Sequence, residues 1–309
     1  MDDVSSRHTA LSELRKGRVI SVLSQEVVIA SEGCLYRCVL RGALKKKWGE
    51  EKNLVVVGDF VLFTNNVIEK VCARFSCLSR QEHLTRQKQQ LLAANIDQVL
   101  ITVSAQQPPM KPALIDRYVI AAYKGNMRPI LIINKIDLVS HRAILTPLID
   151  IYEKSEVPVI VTSVRTGEGL DRLSEKMKGV ASVFAGQSGV GKSSLINVIV
   201  GLNRAVGGLA TKTGKGSHTT ARAELIPLKG DGFCIDTPGI RSFGIWKMQR
   251  EDLLHHFHEI TALGRECHFP DCTHRHEPGC TVRAALERGE LLPFRLDSYL
   301  KLLSETNEF

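Results

Sequence analysis

Residues 186–193 read GQSGVGKS, a run that matches G-x-x-x-x-G-K-[S/T]. Glycines in such a loop let consecutive backbone N–H groups curl around phosphate oxygens where a Cβ would collide. The apolar stretch ASVFA precedes the run and SLINVIV follows it, giving the strand–loop–helix context that the chemistry needs. The spacing predicts a nucleoside-triphosphate cradle made of Gly186, Gln187, Ser188, Gly189, Val190, Gly191, Lys192, Ser193 and Ser194. Lys192 is expected to set its ammonium on the β- and γ-phosphates, and Ser193 to ligate Mg²⁺ through its hydroxyl. The helix behind them adds its positive N-terminal dipole.

A second polar cluster reads the base. NKID at 134–137 ends an apolar run and matches the N-K-x-D guanine signature of Ras-like GTPases. Asp137 can accept from guanine N1–H and the exocyclic amine, a donor pair that adenine lacks, and a base without it would leave the carboxylate unpaired. Lys135 can lay its stem along the ring, and Asn134 can tie neighbouring loops together. Ser163 in TSVRTGEGL resembles the supporting guanine loop, with Val164 where alanine is usual. An ATP site would require NKID to be coincidental. DTPG at 236–239 ends another apolar run: Asp236 is expected to hold Mg²⁺ through water, and the Gly239 N–H to sense the γ-phosphate. Between the two, GKGSHTT at 214–220 carries Thr220, or else Thr219, as the threonine that reaches Mg²⁺ only in the triphosphate state, an order–disorder switch. Ile240 stands where many GTPases place a water-orienting glutamine, which predicts slow intrinsic hydrolysis completed by a partner. His218 is the neighbouring side chain able to position or deprotonate a water; the alternative is a surface histidine in a loop.

The third cluster is CHFPDCTHRHEPGC, in which Cys267, Cys272, His274 and Cys280 offer three thiolates and one imidazole within 14 residues. That donor set fits one closed, structural Cys₃His zinc site, a staple rather than a catalyst. His268 and His276 are read as bystanders, and Cys34, Cys38, Cys72 and Cys77, in or beside strands, as small core residues.

These clusters need elements to position them. Five short β-like runs (17–23, 26–30, 35–40, 54–63 and 67–73) in under 80 residues predict a small barrel, with the five-stranded OB fold as best candidate. Residues 76–95 show no strand alternation and read as a basic linker. From about 96, apolar strands at 98–104, 129–134, 157–163, 181–186, 223–228 and 233–236 alternate with helical stretches, the pattern of a mostly parallel sheet covered on both faces. After 245 the chain is helical, closing with an amphipathic helix at 294–304. We divide it into a barrel at 1–78, a linker at 79–95, a nucleotide domain at 96–245 and a helical zinc-binding domain at 246–309. The guanine elements precede the phosphate loop, the reverse of the ordinary order, which predicts a circular permutation. The segment after DTPG then feeds the C-terminal domain directly.

Composition bounds the rest. With 43% apolar and 24% charged residues, the 309-residue chain is neither disordered nor fibrous. Its start shows no apolar signal region, and runs such as 99–103 and 130–133 are too short to span a bilayer, so a cytoplasmic protein without membrane association is expected. Net charge is +8, and residues 1–92 hold 15 basic against 10 acidic side chains. Lys45, Lys46 and Lys47 followed by Trp48 would suit a nucleic-acid backbone and one stacked base; a solvated charge run is the alternative.

Together, an N-terminal β-barrel, a permuted GTPase carrying NKID, GQSGVGKS, GSHTT and DTPG, and a Cys₃His helical tail resemble the bacterial small ribosomal subunit biogenesis GTPase family, also called ribosome small-subunit-dependent GTPase A. The resemblance spans essentially the whole chain. It implies a circularly permuted α/β P-loop GTPase domain between an OB-fold barrel and a helical zinc-binding domain. It further implies hydrolysis of GTP to GDP stimulated by the small ribosomal subunit, contacts to its rRNA, and a role in late maturation of that subunit. The family's proposed catalytic switch histidine falls on His218, and its zinc ligands on Cys267, Cys272, His274 and Cys280. We read the chain as a monomer. A GTP-regulated RNA-binding scaffold with incidental hydrolysis shares every motif except the water-positioning group.

Overall fold

In the computed structural model, residues 14–23, 26–42, 54–81, 89–203, 224–228, 230–236 and 248–306 are described. The first five strands are β1 (Arg15–Val22), β2 (Val27–Ser31), β3 (Cys34–Leu40), β4 (Phe60–Thr64) and β5 (Val67–Val71). They pair in the order β1-β2-β3-β5-β4, and β4 returns to β1, which closes the five-stranded OB-type barrel. Alternate residues turn inward, so Val19, Val27, Ile29, Cys38, Val61, Phe63 and Ile68 fill its interior. Of the four cysteines expected in the core, Cys38 is buried and Cys72 half-buried, whereas Cys34 and Cys77 are exposed, because each stands at the end of a strand. The run 54–63 is only partly strand. Gly58 takes φ +90°, where a Cβ would lie 2.0 Å from the Ala94 carbonyl oxygen, and buried Asp59 is held by Arg74 at 2.7 Å, so residues 54–59 form a tight turn before β4.

Residues 76–95, read from sequence as a linker, contain an antiparallel pair, β6 (Cys77–Gln81) with β7 (Gln89–Ala94). The glutamines Gln81, Gln89 and Gln90 and the unalternated run from Leu91 to Ala94 hid the pairing.

The second sheet contains β8 (Gln98–Ser104), β9 (Arg128–Asn134), β10 (Val159–Val161), β11 (Ala181–Ala185), β12 (Glu224–Pro227) and β13 (Phe233–Asp236), ordered β10-β9-β8-β11-β13-β12. All its pairings are parallel except β12 with β13. Every residue of β8 and β11 is buried, because helices cover both faces. On one face, α1 (Pro112–Lys124) and α2 (Thr146–Lys154) pack on Val99, Ile101, Val103, Leu131 and Ile133; on the other, α3 (Leu170–Lys176) and α4 (Lys192–Asn203) pack on Leu100, Ile130, Ile132 and Phe184. Successive strand residues thus supply opposite cores. Strand β1 also pairs with β12 through Ser21 and Glu224, so the barrel continues the sheet.

The tail folds as α5 (Arg250–His256), α6 (His258–Gly264), α7 (Thr281–Glu287) and α8 (Pro293–Thr306) around Leu253, Phe257, Ile260, Val282, Leu296 and Tyr299. Helix α1 serves two layers. Its Ile115 and Val119 enter the sheet core, while Ile120 joins the tail core and Asp116 meets the tail's Arg295 and His256. No helix among the described residues is long and apolar enough to cross a membrane.

Candidate functional site

Sheet order locates the site before any side chain does. From β8 the chain winds outward through β9 and β10, then returns to place β11 on the other side of β8. The winding direction therefore reverses between β8 and β11, and the crevice beyond the carboxyl ends of strands at such a reversal is where open α/β sheets bind ligands. Asn134 ends β9, Ser163 follows β10, Gly186 follows β11 and Asp236 ends β13. The predicted loops thus share one edge of the sheet.

They also touch. Asn134, 2% exposed, donates from Nδ2 to the Val190 carbonyl at 2.9 Å and accepts from Thr162 Oγ1 at 3.2 Å. Lys135 donates from Nζ to the carbonyls of Gly189 and Gln107, both at 2.7 Å. The segments expected to read the base and to cradle the phosphates, some fifty positions apart in sequence, meet directly. Gly191 shows why the spacing is strict. Its φ is +97°, and a Cβ there would sit 2.4 Å from Asn134 Nδ2, so any side chain would break the join. Gly186, at φ +137°, lets the loop leave β11 against β8, where a Cβ would meet the Thr102 carbonyl oxygen at 2.1 Å.

Asp137 lies in a 3-10 turn at Ile136–Leu138, aimed by Lys135 in the left-handed region at φ 62°. Its Oδ1 accepts from Ser163 Oγ at 2.5 Å and its Oδ2 from Arg165 Nε at 2.7 Å. The Ser163 hydroxyl, and then Arg165, hold the carboxyl below the usual carboxylate range, so it is an anion at neutral pH. In the phosphate loop, Lys192 Nζ donates to the Gly186 and Gln187 carbonyls at 2.6 and 2.7 Å, which keeps the ammonium curled over the loop. Gln187 Nε2 donates to the Pro109 carbonyl at 3.2 Å. Ser188 and Gly189 are exposed and Val190 is buried; Ser193 and Ser194 lie exposed on the first turn of α4.

Among the other predicted residues, the Asp236 backbone ends β13, paired with Glu224, but its side chain lies outside what is described. His218, Thr219, Thr220, Gly239, Ile240, Lys45, Lys46, Lys47 and Trp48 also lie outside the described residues. Sequence reading missed three participants: Arg165 on Asp137, Gln107 under Lys135, and Arg142, which donates to Glu168 at 2.5 and 2.7 Å and ties the 163–168 turn to the segment after Asp137. No local motif marks Gln107; the adjacency of β8 and β11 brings it there.

In the tail, Cys267, Cys272, His274 and Cys280 gather with their ligand atoms within 4.8 Å of one another. Cys267 Sγ lies 3.6 Å from His274 Nδ1 and 3.9 Å from Cys280 Sγ, and Cys280 Sγ lies 3.5 Å from the same nitrogen. Zinc bond lengths on a tetrahedron put donor atoms about 3.5–3.8 Å apart, so these residues fit a four-coordinate metal. Burial pushes the Cys272 thiol up to about 12, and a thiolate there needs a cation's charge. His268 and His276 are not in the cluster. The group is a candidate metal site.

Known proteins give the same outline. A family model described as RsgA GTPase matches residues 72–246, more than half of the chain. The small ribosomal subunit biogenesis GTPase RsgA of Bacteroides fragilis is 36% identical over 296 residues, covering 91% of this chain and 93% of that protein. The protein of the same name from Dickeya dadantii is 37% identical over 308 residues, covering 95% and 85%. The crystal structure of YjeQ from Thermotoga maritima superposes with a TM-score of 0.72 at 33% identity, over 96% of this chain and 99% of that one. The crystal structure of YloQ, described as a circularly permuted GTPase, gives a TM-score of 0.68 at 28% identity, over 96% of each chain. By sequence and by fold, the chain belongs to the RsgA GTPase family.

Proposed function

We propose that this protein hydrolyses GTP to GDP and phosphate at the sheet edge, and acts in late maturation of the small ribosomal subunit through its rRNA. The observation that carries the reading is the direct bonding of Asn134 to Val190 and of Lys135 to Gly189, which puts an anionic two-oxygen acceptor and a phosphate cradle on one nucleotide-sized surface. Asp137, backed by Ser163, reads the guanine edge, Lys135 lies along the base and Asn134 fixes the distance between the loops. The backbone N–H groups of Gly186 to Ser194 and the Lys192 ammonium receive the phosphates. Ser193 and Thr220, with Asp236 through water, would hold Mg²⁺, which offsets phosphate charge when bound. Gly239 senses the γ-phosphate. His218 positions or deprotonates the attacking water, a role Ile240 cannot fill, so turnover is slow until a partner completes the site.

The Cys₃His cluster holds one structural zinc ion. The barrel, with Lys45, Lys46, Lys47 and Trp48, supplies contacts to rRNA. The protein works in the cytoplasm as a monomer. The test is GTP turnover of the wild type and of His218→Ala, each titrated with purified small ribosomal subunits. Stimulation of the wild type and its loss in the variant are expected; a wild type that the subunits leave unstimulated would refute the enzymatic reading in favour of a GTP-regulated scaffold.

A further inference from the structure

One short turn holds both oxygens of the Asp137 carboxylate. Ser163 occupies Oδ1 at 2.5 Å, and Arg165, two residues later, occupies Oδ2 at 2.7 Å. The turn is stiff. Gly167 N–H donates to the Ser163 carbonyl at 2.9 Å, Ser163 N–H to the Glu168 carbonyl at 3.0 Å and Thr166 N–H to Ser163 Oγ at 3.2 Å. The two bonds from Arg142 to Glu168 then fasten the turn to the segment following Asp137.

A carboxylate oxygen accepts two hydrogen bonds. With Ser163 on one oxygen and Arg165 on the other, each oxygen keeps acceptor capacity that a pair of parallel donors could use. Guanine offers two parallel donors, N1–H and the 2-amino group, at matching spacing. The geometry points to Arg165 as a specificity-determining positioning residue, which with Ser163 locks the Asp137 carboxylate so that both oxygens face the two-donor edge of the base. The inference rests on the guanine-nucleotide reading of this site. Ser163 alone would leave the terminal carboxylate torsion, a broad two-fold well, to swing Oδ2 out of the base plane. The loss would then fall on the second base bond. Inosine carries N1–H without the amine and needs only one oxygen, so Arg165 contributes to guanine over hypoxanthine rather than to nucleotide binding in general.

The experiment measures affinities of the full chain for GDP, IDP and ADP by competition with a fluorescent nucleotide, using wild type, Arg165→Ala and Arg165→Lys. The Arg165 side chain is 72% exposed, so its removal leaves the fold intact, and a melting curve checks this. Removing one exposed charge-assisted bond is expected to weaken GDP binding about three- to tenfold while IDP stays within about twofold, and lysine should restore part of the difference. Equal weakening of GDP and IDP would overturn the inference, because it would reduce Arg165 to general charge attraction. Tighter GDP binding by Arg165→Ala would also overturn it, making the arginine a competitor of the base. A wild type that binds ADP as well as GDP would instead sink the guanine reading itself, and the ADP arm keeps the two failures apart.

Discussion

Replacing Arg295 with methionine is expected to unseat the helical tail from α1. Arg295 and Asp116 are both fully buried. Arg295 donates from Nη1 to Asp116 Oδ1 at 2.7 Å and from Nε to Glu259 Oε1 at 2.7 Å, and its guanidinium lies 4.3 Å from the centre of the Phe257 ring. Burial pushes the Asp116 carboxyl up, but the His256 hydrogen bond and the Arg295 charge outweigh that and hold it below the usual range. Methionine keeps the apolar volume over Phe257, so the loss is mainly one of charge compensation. Asp116 would retain His256 at 2.9 Å and Tyr152 at 3.0 Å without its cation. Breaking one side of a buried pair costs about 3–5 kcal/mol. In a unit of this size that lowers Tm by about 10 °C. The same rule makes a sharper demand. Asp116 Oδ2 and Arg295 Nη2 have no hydrogen-bond partner among the described residues, so the native network recovers only part of its desolvation. Asp116→Leu combined with Arg295→Met removes both charges but also takes the partners of Tyr152, His256 and Glu259, so the double variant should be less unstable than the two singles added together without returning to the wild-type level. Calorimetry of the four proteins in the cycle decides. An Arg295→Met protein melting within 2 °C of wild type, or a double variant as unstable as the two singles added together, would refute the charge-compensation account.

Three further outcomes follow from the site. On the proposed reading of the base by Asp137, Asp137→Asn exchanges an acceptor for a donor opposite the guanine amine, so GDP affinity should fall about 100-fold and XDP, with a carbonyl at that position, should bind better than GDP; isothermal titration with both nucleotides checks it. Because the Asp137 carboxyl is held below its ordinary range, its contribution is present above that range and is lost only as pH falls through the lowered value. GDP takes up a proton on its own terminal phosphate at about pH 6, so the contribution is read as the ratio of wild-type to Ser163→Ala affinity. That ratio should grow as pH falls toward the ordinary carboxylate range, because the variant, lacking the largest of the lowering contacts, protonates Asp137 first, as competition assays on both proteins would show. Stripping metal from the tail with a chelator should lower the melting temperature and expose residues 267–280 to protease, and Cys272→Ser should reproduce both effects without chelator; a tail equally resistant before and after stripping would rule out a structural metal there.

The phosphate loop, the NKID segment and the Cys/His knot were legible in the chain because each depends on spacing over a few to 14 residues, where a loop's geometry is set by its own glycines and donors. The strands of the permuted sheet were legible for a related reason: burial on both faces leaves near-continuous apolar runs. The β6–β7 pair was not, since its apolar residues, Leu78 and the run from Leu91 to Ala94, show no two-residue alternation to read. Only the folded sheet decided that β8 lies between β9 and β11, and with it the convergence of Asn134 on Val190, 56 positions away, and of Lys135 on Gln107. Asp116 and Arg295 stand 179 positions apart, each an ordinary surface residue by type. A hydrophobic period says which face of a helix is inward. It carries no information about which distant charge will meet that face, because the pairing is settled by how the layers stack.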